Sequence, residues 1–217
     1  MTTTTTHQQI TLPTSELRQI LAALNEYTTS DKTPQPLTLA RITPIIVEQL
    51  PQDATPPTVL IWEATNKTEL VKITQRTTHN LTEPAQIDPA TILAALPKKT
   101  DTKQTAETVI TLTPDAWQLT TSTTTGTTTS TGQRHDTQWP NTFGIWKDQQ
   151  NALAPHSIGT PMLNRLTKLA KQLGTDQVNL ASMAHTDGKP DPRKPITYTI
   201  TGSHLEARVL IMPRRPN

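Results

Sequence analysis

Two groups of residues have the types and spacing to do chemistry. The first is a set of cations on the polar sides of three amphipathic stretches: Arg18 in the first, Lys98 and Lys99 at the end of the second, and Arg165, Lys168 and Lys171 in the third. Arg165 and Lys168 stand three residues apart, so on a helix they share a face opposite the apolar stripe. Such cations neutralise phosphates without reading bases, or they are simply the solvated side of a helix. Glu16 and Glu26 dilute the positive character of the first stretch. The second group closes the chain. There an apolar strand runs into Leu210, Met212 and Pro213, followed by Arg214 and Arg215. Methionine is flexible and polarizable and suits a surface that accepts several partners, although a strand end followed by a tail has the same composition.

Catalytic patterns are missing. The sequence has no G-x-x-x-x-G-K-[ST], G-x-G-x-x-G, G-x-S-x-G or H-E-x-x-H. The histidines at 7, 79, 135, 156, 185 and 204 are scattered, and none is paired at i+3 or i+4 with another ligand type on an expected helix. No cysteine is available as nucleophile, thiolate ligand or disulfide partner. The expectation is therefore a non-enzymatic protein with no cofactor and no metal.

The elements that must position these groups follow from periodicity. Three segments share one plan, a short helix followed by strands. In the first, Ser15 is placed to cap a helix whose apolar stripe is Leu17, Ile20, Leu21 and Leu24. Strands follow over about 39–47, 59–64 and 69–73. In the second, Asp88-Pro89 is a cap followed by a first-turn proline, and Ile92, Leu93 and Leu96 form the stripe. Strands over 108–112 and through Trp117 and Leu119 turn at Pro114-Asp115. The Thr/Ser tract 120–132 forms an exposed hairpin around Gly126, or else a linker. In the third, Thr160-Pro161 is cap and proline, Met162, Leu166, Leu169 and Leu173 are the stripe, and Gly174 is the stop. Strands follow over 178–183, 196–200 and 205–212.

Bulk properties agree with this plan. Aromatic residues make up only 3% of the 217, and hydrophobic residues 33%, so the core must be built from Leu, Ile, Val and Ala. Threonine is abundant, and β-branched residues favour pleated strands. With 20 basic and 18 acidic residues the formal charge is +2. That excludes an all-round basic coat but not a locally basic face. No apolar run approaches the roughly 20 residues of a membrane span. Residues 1–7 are a Thr-rich tail with neither a basic nor an apolar region, so a signal peptide is not expected, and the lack of cysteine fits a cytoplasmic setting.

Several motifs then resemble bacterial DNA polymerase III β sliding clamps. The ending Leu205-Glu206-Ala207-Arg208-Val209-Leu210-Ile211-Met212-Pro213-Arg214-Arg215 is similar to that family's last strand and Met-Pro-x-Arg tail. Lys194-Pro195-Ile196-Thr197-Tyr198 resembles the strand before it. Ala64-Thr65-Asn66 followed by Glu69-Leu70 resembles the strand–turn–strand step, with Asn66 in place of the usual Asp. Trp139-Pro140-Asn141 resembles the step that closes a clamp domain.

The resemblance implies an α+β DNA-clamp fold of repeated half-domains, each one helix packed on antiparallel strands. Residues 1–7 would be a disordered tail, 8–138 one whole domain of two halves, 139–154 a linker, and 155–217 a closing half. Three halves are legible where a full bacterial clamp carries six, so four chains, or three two-domain chains, would close a ring. The implied role is a processivity factor: a homo-oligomeric ring on double-stranded DNA that tethers DNA polymerase and other proteins bearing clamp-binding motifs, with a possible clamp loader. The alternative is a non-ring adaptor or decoy for such motifs. The resemblance assigns DNA contact to Arg18, Lys98, Lys99, Arg165, Lys168 and Lys171, and partner binding to Leu210, Met212, Pro213, Arg214 and Arg215. Arg214 stands where the family often has an apolar residue.

Overall fold

A computed structural model describes residues 8–29, 36–45, 59–66, 68–97, 106–124, 126–142, 159–181, 195–202 and 204–212. Strand β1 (Gln8–Pro13) runs directly into helix α1 (Thr14–Asn25). Leu17, Ile20, Leu21 and Leu24 are fully buried, as their spacing predicts. The start of the helix differs from expectation. Ser15 is not a cap: it lies exposed inside the first turn, and no side chain caps this helix. The first turn is satisfied from a neighbouring strand instead. Thr14 N–H donates to the Ala106 carbonyl at 2.9 Å, and its hydroxyl lies 2.8 Å from that of Thr108.

Strands β2 (Ala40–Ile45), β3 (Val59–Thr65) and β4 (Glu69–Arg76) form an antiparallel meander. Two short strands, β5 (Thr78–His79) and β6 (Ala85–Ile87), lead to helix α2 (Pro89–Ala95). Here the expected cap is present: Asp88 Oδ1 accepts from Ala90 N at 3.0 Å and Thr91 N at 3.3 Å. Strands β7 (Glu107–Leu112), β8 (Ala116–Thr123) and β9 (Gly126–Gln133) follow. The Thr/Ser tract is thus a hairpin, and Gly126 takes a φ of +152° at its turn.

The third unit is helix α3 (Thr160–Gln172) with β10 (Asn179–Ala181), β11 (Ile196–Thr201) and β12 (Glu206–Ile211). Thr160 is not its cap; Gly159 holds that position and Thr160 is already helical. The stop at Gly174 is as expected. Its φ is +74°, its N–H donates to Lys171 O, and Thr175 N–H reaches back to Ala170 O, which closes the carbonyl end of the helix.

Two sheets result, with strand orders β5-β1-β7-β8-β9 and β10-β11-β12-β4-β3-β2-β6. The first two units exchange their leading strands: β1, which precedes α1, pairs with β7, while β6, which precedes α2, pairs with β2. The third unit joins through β12, which pairs antiparallel with β4 and makes its sheet continuous with that of the first unit. One face of the seven-stranded sheet carries the register row Tyr198, Val209, Val71, Ala64, Ala40 and Ile87. All six are buried in a core shared with the stripes of α1, α2 and α3. That face is the helix side, and the alternate residues point the other way.

Candidate partner pocket and nucleic-acid face

The outer face of the seven-stranded sheet carries the row Thr197, Leu210, Leu70 and Thr65. Leu70 and Leu210 are buried, yet they stand apart from the helix-side core. They floor a cavity of about 310 Å³ whose walls are Leu37, Met212, Pro140 and Pro195, with Thr65, Thr68, Glu69 and Thr142 completing the lining. Met212 is 44% exposed at its mouth.

Leu37 and Pro195 reach this pocket from just before β2 and β11, and three hydrogen-bonded segments distant in sequence frame the rest. The first is the turn between β3 and β4. Asn66 Oδ1 accepts from Thr68 N (3.2 Å), Thr68 Oγ1 (3.0 Å) and Glu69 N (3.0 Å), and Thr65 Oγ1 donates to Glu69 O (2.8 Å). The second is the end of β12, where Met212 N–H donates to Thr68 O at 2.9 Å. The third is the stretch 134–142, which leaves β9 and is pinned to the outer face. Arg134 Nη1 donates to Thr113 O in the β7–β8 turn (2.9 Å), while on the outer face Thr137 Oγ1 donates to Gln86 Oε1 (2.9 Å) and Thr142 Oγ1 to buried Glu63 Oε2 (3.3 Å). This stretch supplies Pro140 and Thr142 to the pocket wall.

Two of the five residues expected to bind partners, Leu210 and Met212, therefore meet in one apolar cavity. Pro213, Arg214 and Arg215 lie outside the described residues. Sequence reasoning missed Leu37, Leu70, Pro140 and Pro195 because their convergence depends on strand register and on the path of 134–142. Next to the pocket the outer face turns polar, with Glu63 opposite Lys72 and Lys72 opposite Arg208. Burial pulls the Lys72 ammonium below its ordinary range, and the Glu63 carboxylate opposes that shift.

On the helix side the cations are not a free set. Lys98 and Lys99 lie outside the described residues. Arg18 Nη2 donates to the Pro97 carbonyl. Lys168 Nζ pairs with Glu26 Oε1, a contact exposed on the lysine side. Arg165 departs most from its expected place on a solvated face. Its guanidinium reaches Glu69 Oε2 at 2.6 Å, and the Glu69 side chain is wholly buried. The Tyr27 hydroxyl is buried there too, and burial, then the Glu69 charge, pushes its pKa far up. Lys171 is exposed near the C-terminus of α3. The outward residues of α1 and α2, such as Ser15, Gln19, Asn25, Ala90, Thr91 and Ala94, are uncharged.

Among the described residues no group of three or more His, Cys, Asp or Glu side chains is placed to hold a metal ion. Among the same residues no helix is long and apolar enough to cross a membrane.

No protein-family model matches the chain, and no curated protein is similar to it in sequence. Solved structures are similar. The DNA polymerase III β subunit of Thermotoga maritima superimposes with a TM-score of 0.63 at 10% identity, over 96% of this chain and 66% of that one. The β sliding clamp of Bartonella birtlesii bound to griselimycin gives 0.59 at 12% identity, again over 96% and 66%. A. fulgidus PCNA, solved with the C-terminal region of FEN-1, gives 0.55 at 9% identity, over 97% of this chain and 99% of that one. The chain thus spans just under two thirds of the bacterial β subunits and nearly all of the PCNA chain, and it has the α+β sliding-clamp fold.

Proposed function

We propose that this protein is a processivity clamp that docks short linear motifs of replication proteins in the pocket at Leu210 and Met212. The observation that carries the reading is the open apolar cavity of about 310 Å³ on the sheet face opposite the helices. Apolar side chains of an extended peptide fill such a groove while its backbone stays outside. The Bartonella clamp bound to griselimycin and the PCNA bound to a FEN-1 segment give two probes to try. Residues 8–138 form one domain in this reading, 139–154 the link, and 155–217 a second unit. Head-to-tail pairing of exposed strand edges such as β9 closes a ring around double-stranded DNA. The near-complete mutual coverage with a PCNA chain favours the two-domain count, hence three subunits.

A second reading keeps the pocket without the ring: an adaptor or decoy for clamp-binding motifs. It is favoured by the cations of the helix side, since Arg18, Arg165 and Lys168 are all engaged within the chain. Native mass spectrometry combined with retention on nicked circular DNA separates the two. A ring gives a discrete oligomer whose retention is lost when the circle is linearised. A strict monomer that still binds griselimycin leaves the adaptor, and failure to bind either probe removes the pocket reading.

A further inference from the structure

We infer that Arg165 is a positioning residue for the partner pocket rather than a phosphate contact, although it stands on the opposite side of the sheet from that pocket. The inference rests on the pocket reading above. Side chains alternate along β4, so Glu69 points to the helix side while Leu70 floors the cavity. Glu69 Oε2 is held from two directions, by Arg165 Nη2 at 2.6 Å and by Asn66 Nδ2 at 3.0 Å. The same Asn66, through Oδ1, ties the turn that carries Thr65 and Thr68, and Thr68 O accepts the Met212 N–H. A continuous path of hydrogen bonds therefore runs from α3 through a buried carboxylate to the pocket's mouth.

Charge makes the path directional. A wholly buried carboxylate is tolerated because a cation and donors face it. Removing the guanidinium leaves a buried carboxylate with no cation facing it, which drives it toward water. That movement breaks its bond from Asn66 and loosens the turn under Met212. The path also accounts for asparagine at position 66. An aspartate there would accept from the turn's N–H groups equally well, but it has no donor for Glu69 and would repel it.

The test compares Arg165→Met with Glu69→Gln/Arg165→Met in the full chain. In the double variant the neutral amide at position 69 still offers Asn66 an acceptor. Two measurements are read: the methyl signal of ¹³C-labelled Met212, assigned with Met212→Leu, and affinity for griselimycin. Arg165→Met is expected to shift the Met212 signal and to weaken griselimycin binding on the order of tenfold, typical of coupling inside one hydrogen-bond network. The double variant returns both toward wild type, and both variants keep wild-type retention on circular DNA. A Met212 signal unmoved in folded Arg165→Met overturns the inference, as does loss of DNA retention with griselimycin affinity intact. If Arg165→Met does not fold, the double variant decides alone, and a displaced Met212 signal in it overturns the inference. Failure of the wild type to bind griselimycin counts against the pocket reading, while the Met212 signal still tests the path.

Discussion

Met212 N–H donates to the Thr68 carbonyl at 2.9 Å, one residue beyond the end of the β12–β4 ladder. That bond fixes the last described residue of the chain against the turn after β3 and holds a half-exposed thioether over Leu70 and Leu210. The pocket is thereby a property of strand register, and its mouth can be altered without touching the core.

Met212→Ala is expected to cut affinity for a motif peptide or griselimycin at least tenfold, about 1.4 kcal/mol. Folding stability should change by no more than about 0.5 kcal/mol, because the side chain is 44% exposed. Calorimetric titration beside urea unfolding checks both. Equal affinity for the two proteins would remove Met212 from the site.

Lys171→Glu is expected to weaken retention on nicked circular DNA. It should also lower the salt dependence of binding, since each phosphate contact contributes roughly 0.9 to the log–log slope on duplex DNA. Lys168→Glu adds to the loss only if the exposed pair with Glu26 opens readily, as a contact worth about 0–1 kcal/mol should. Slopes identical to wild type in both variants would make this face plain surface.

Gly202→Ala is expected to destabilise the fold by about 1–3 kcal/mol. A Cβ at Gly202 would lie 2.1 Å from the Leu173 carbonyl oxygen, where the β11–β12 turn packs on the end of α3. The clash is with backbone, so rotamer change cannot relieve it. An unaltered denaturation midpoint would show that this helix end is free to move.

His79 gives the protein an acid-sensitive contribution. Burial lowers its pKa from the ordinary 6.5, and its Nδ1 accepts from Leu81 N at 3.2 Å, which suits the neutral ring. The folded value lies below the unfolded one, so the unfolded chain binds more protons in between. Stability from this residue is complete above about pH 6.5 and falls as pH drops through that value toward the folded pKa. His79→Gln should flatten the urea midpoint over that range, and parallel curves for the two proteins would rule His79 out.

Much of this architecture is written in local sequence. The stripes Leu17-Ile20-Leu21-Leu24 and Met162-Leu166-Leu169-Leu173 are buried as their 3.6-residue spacing requires, Asp88 caps α2, and Gly174 ends α3, because each depends on residues within one or two turns. The chain ending is legible for a similar reason, since alternation along one strand places Leu210 and Met212 on the same side. What failed was also local in form but not in cause. Ser15 and Thr160 have the composition of caps, yet the start of α1 is satisfied by Ala106 and Thr108, which belong to the second unit.

Only the tertiary structure could decide where the long-range partners lie. Exchange of β1 and β6 between the first two units, the pairing of β12 with β4, and the path of 134–142 bring Leu37, Leu70, Pro140 and Pro195 around Met212. Arg165 shows the division most clearly. Sequence spacing puts it on the polar side of a helix and says nothing of what stands opposite. The structure sets a buried carboxylate 2.6 Å away. Periodicity specifies which way a side chain points from its own element, but its electrostatic role is fixed by whatever the fold packs against it.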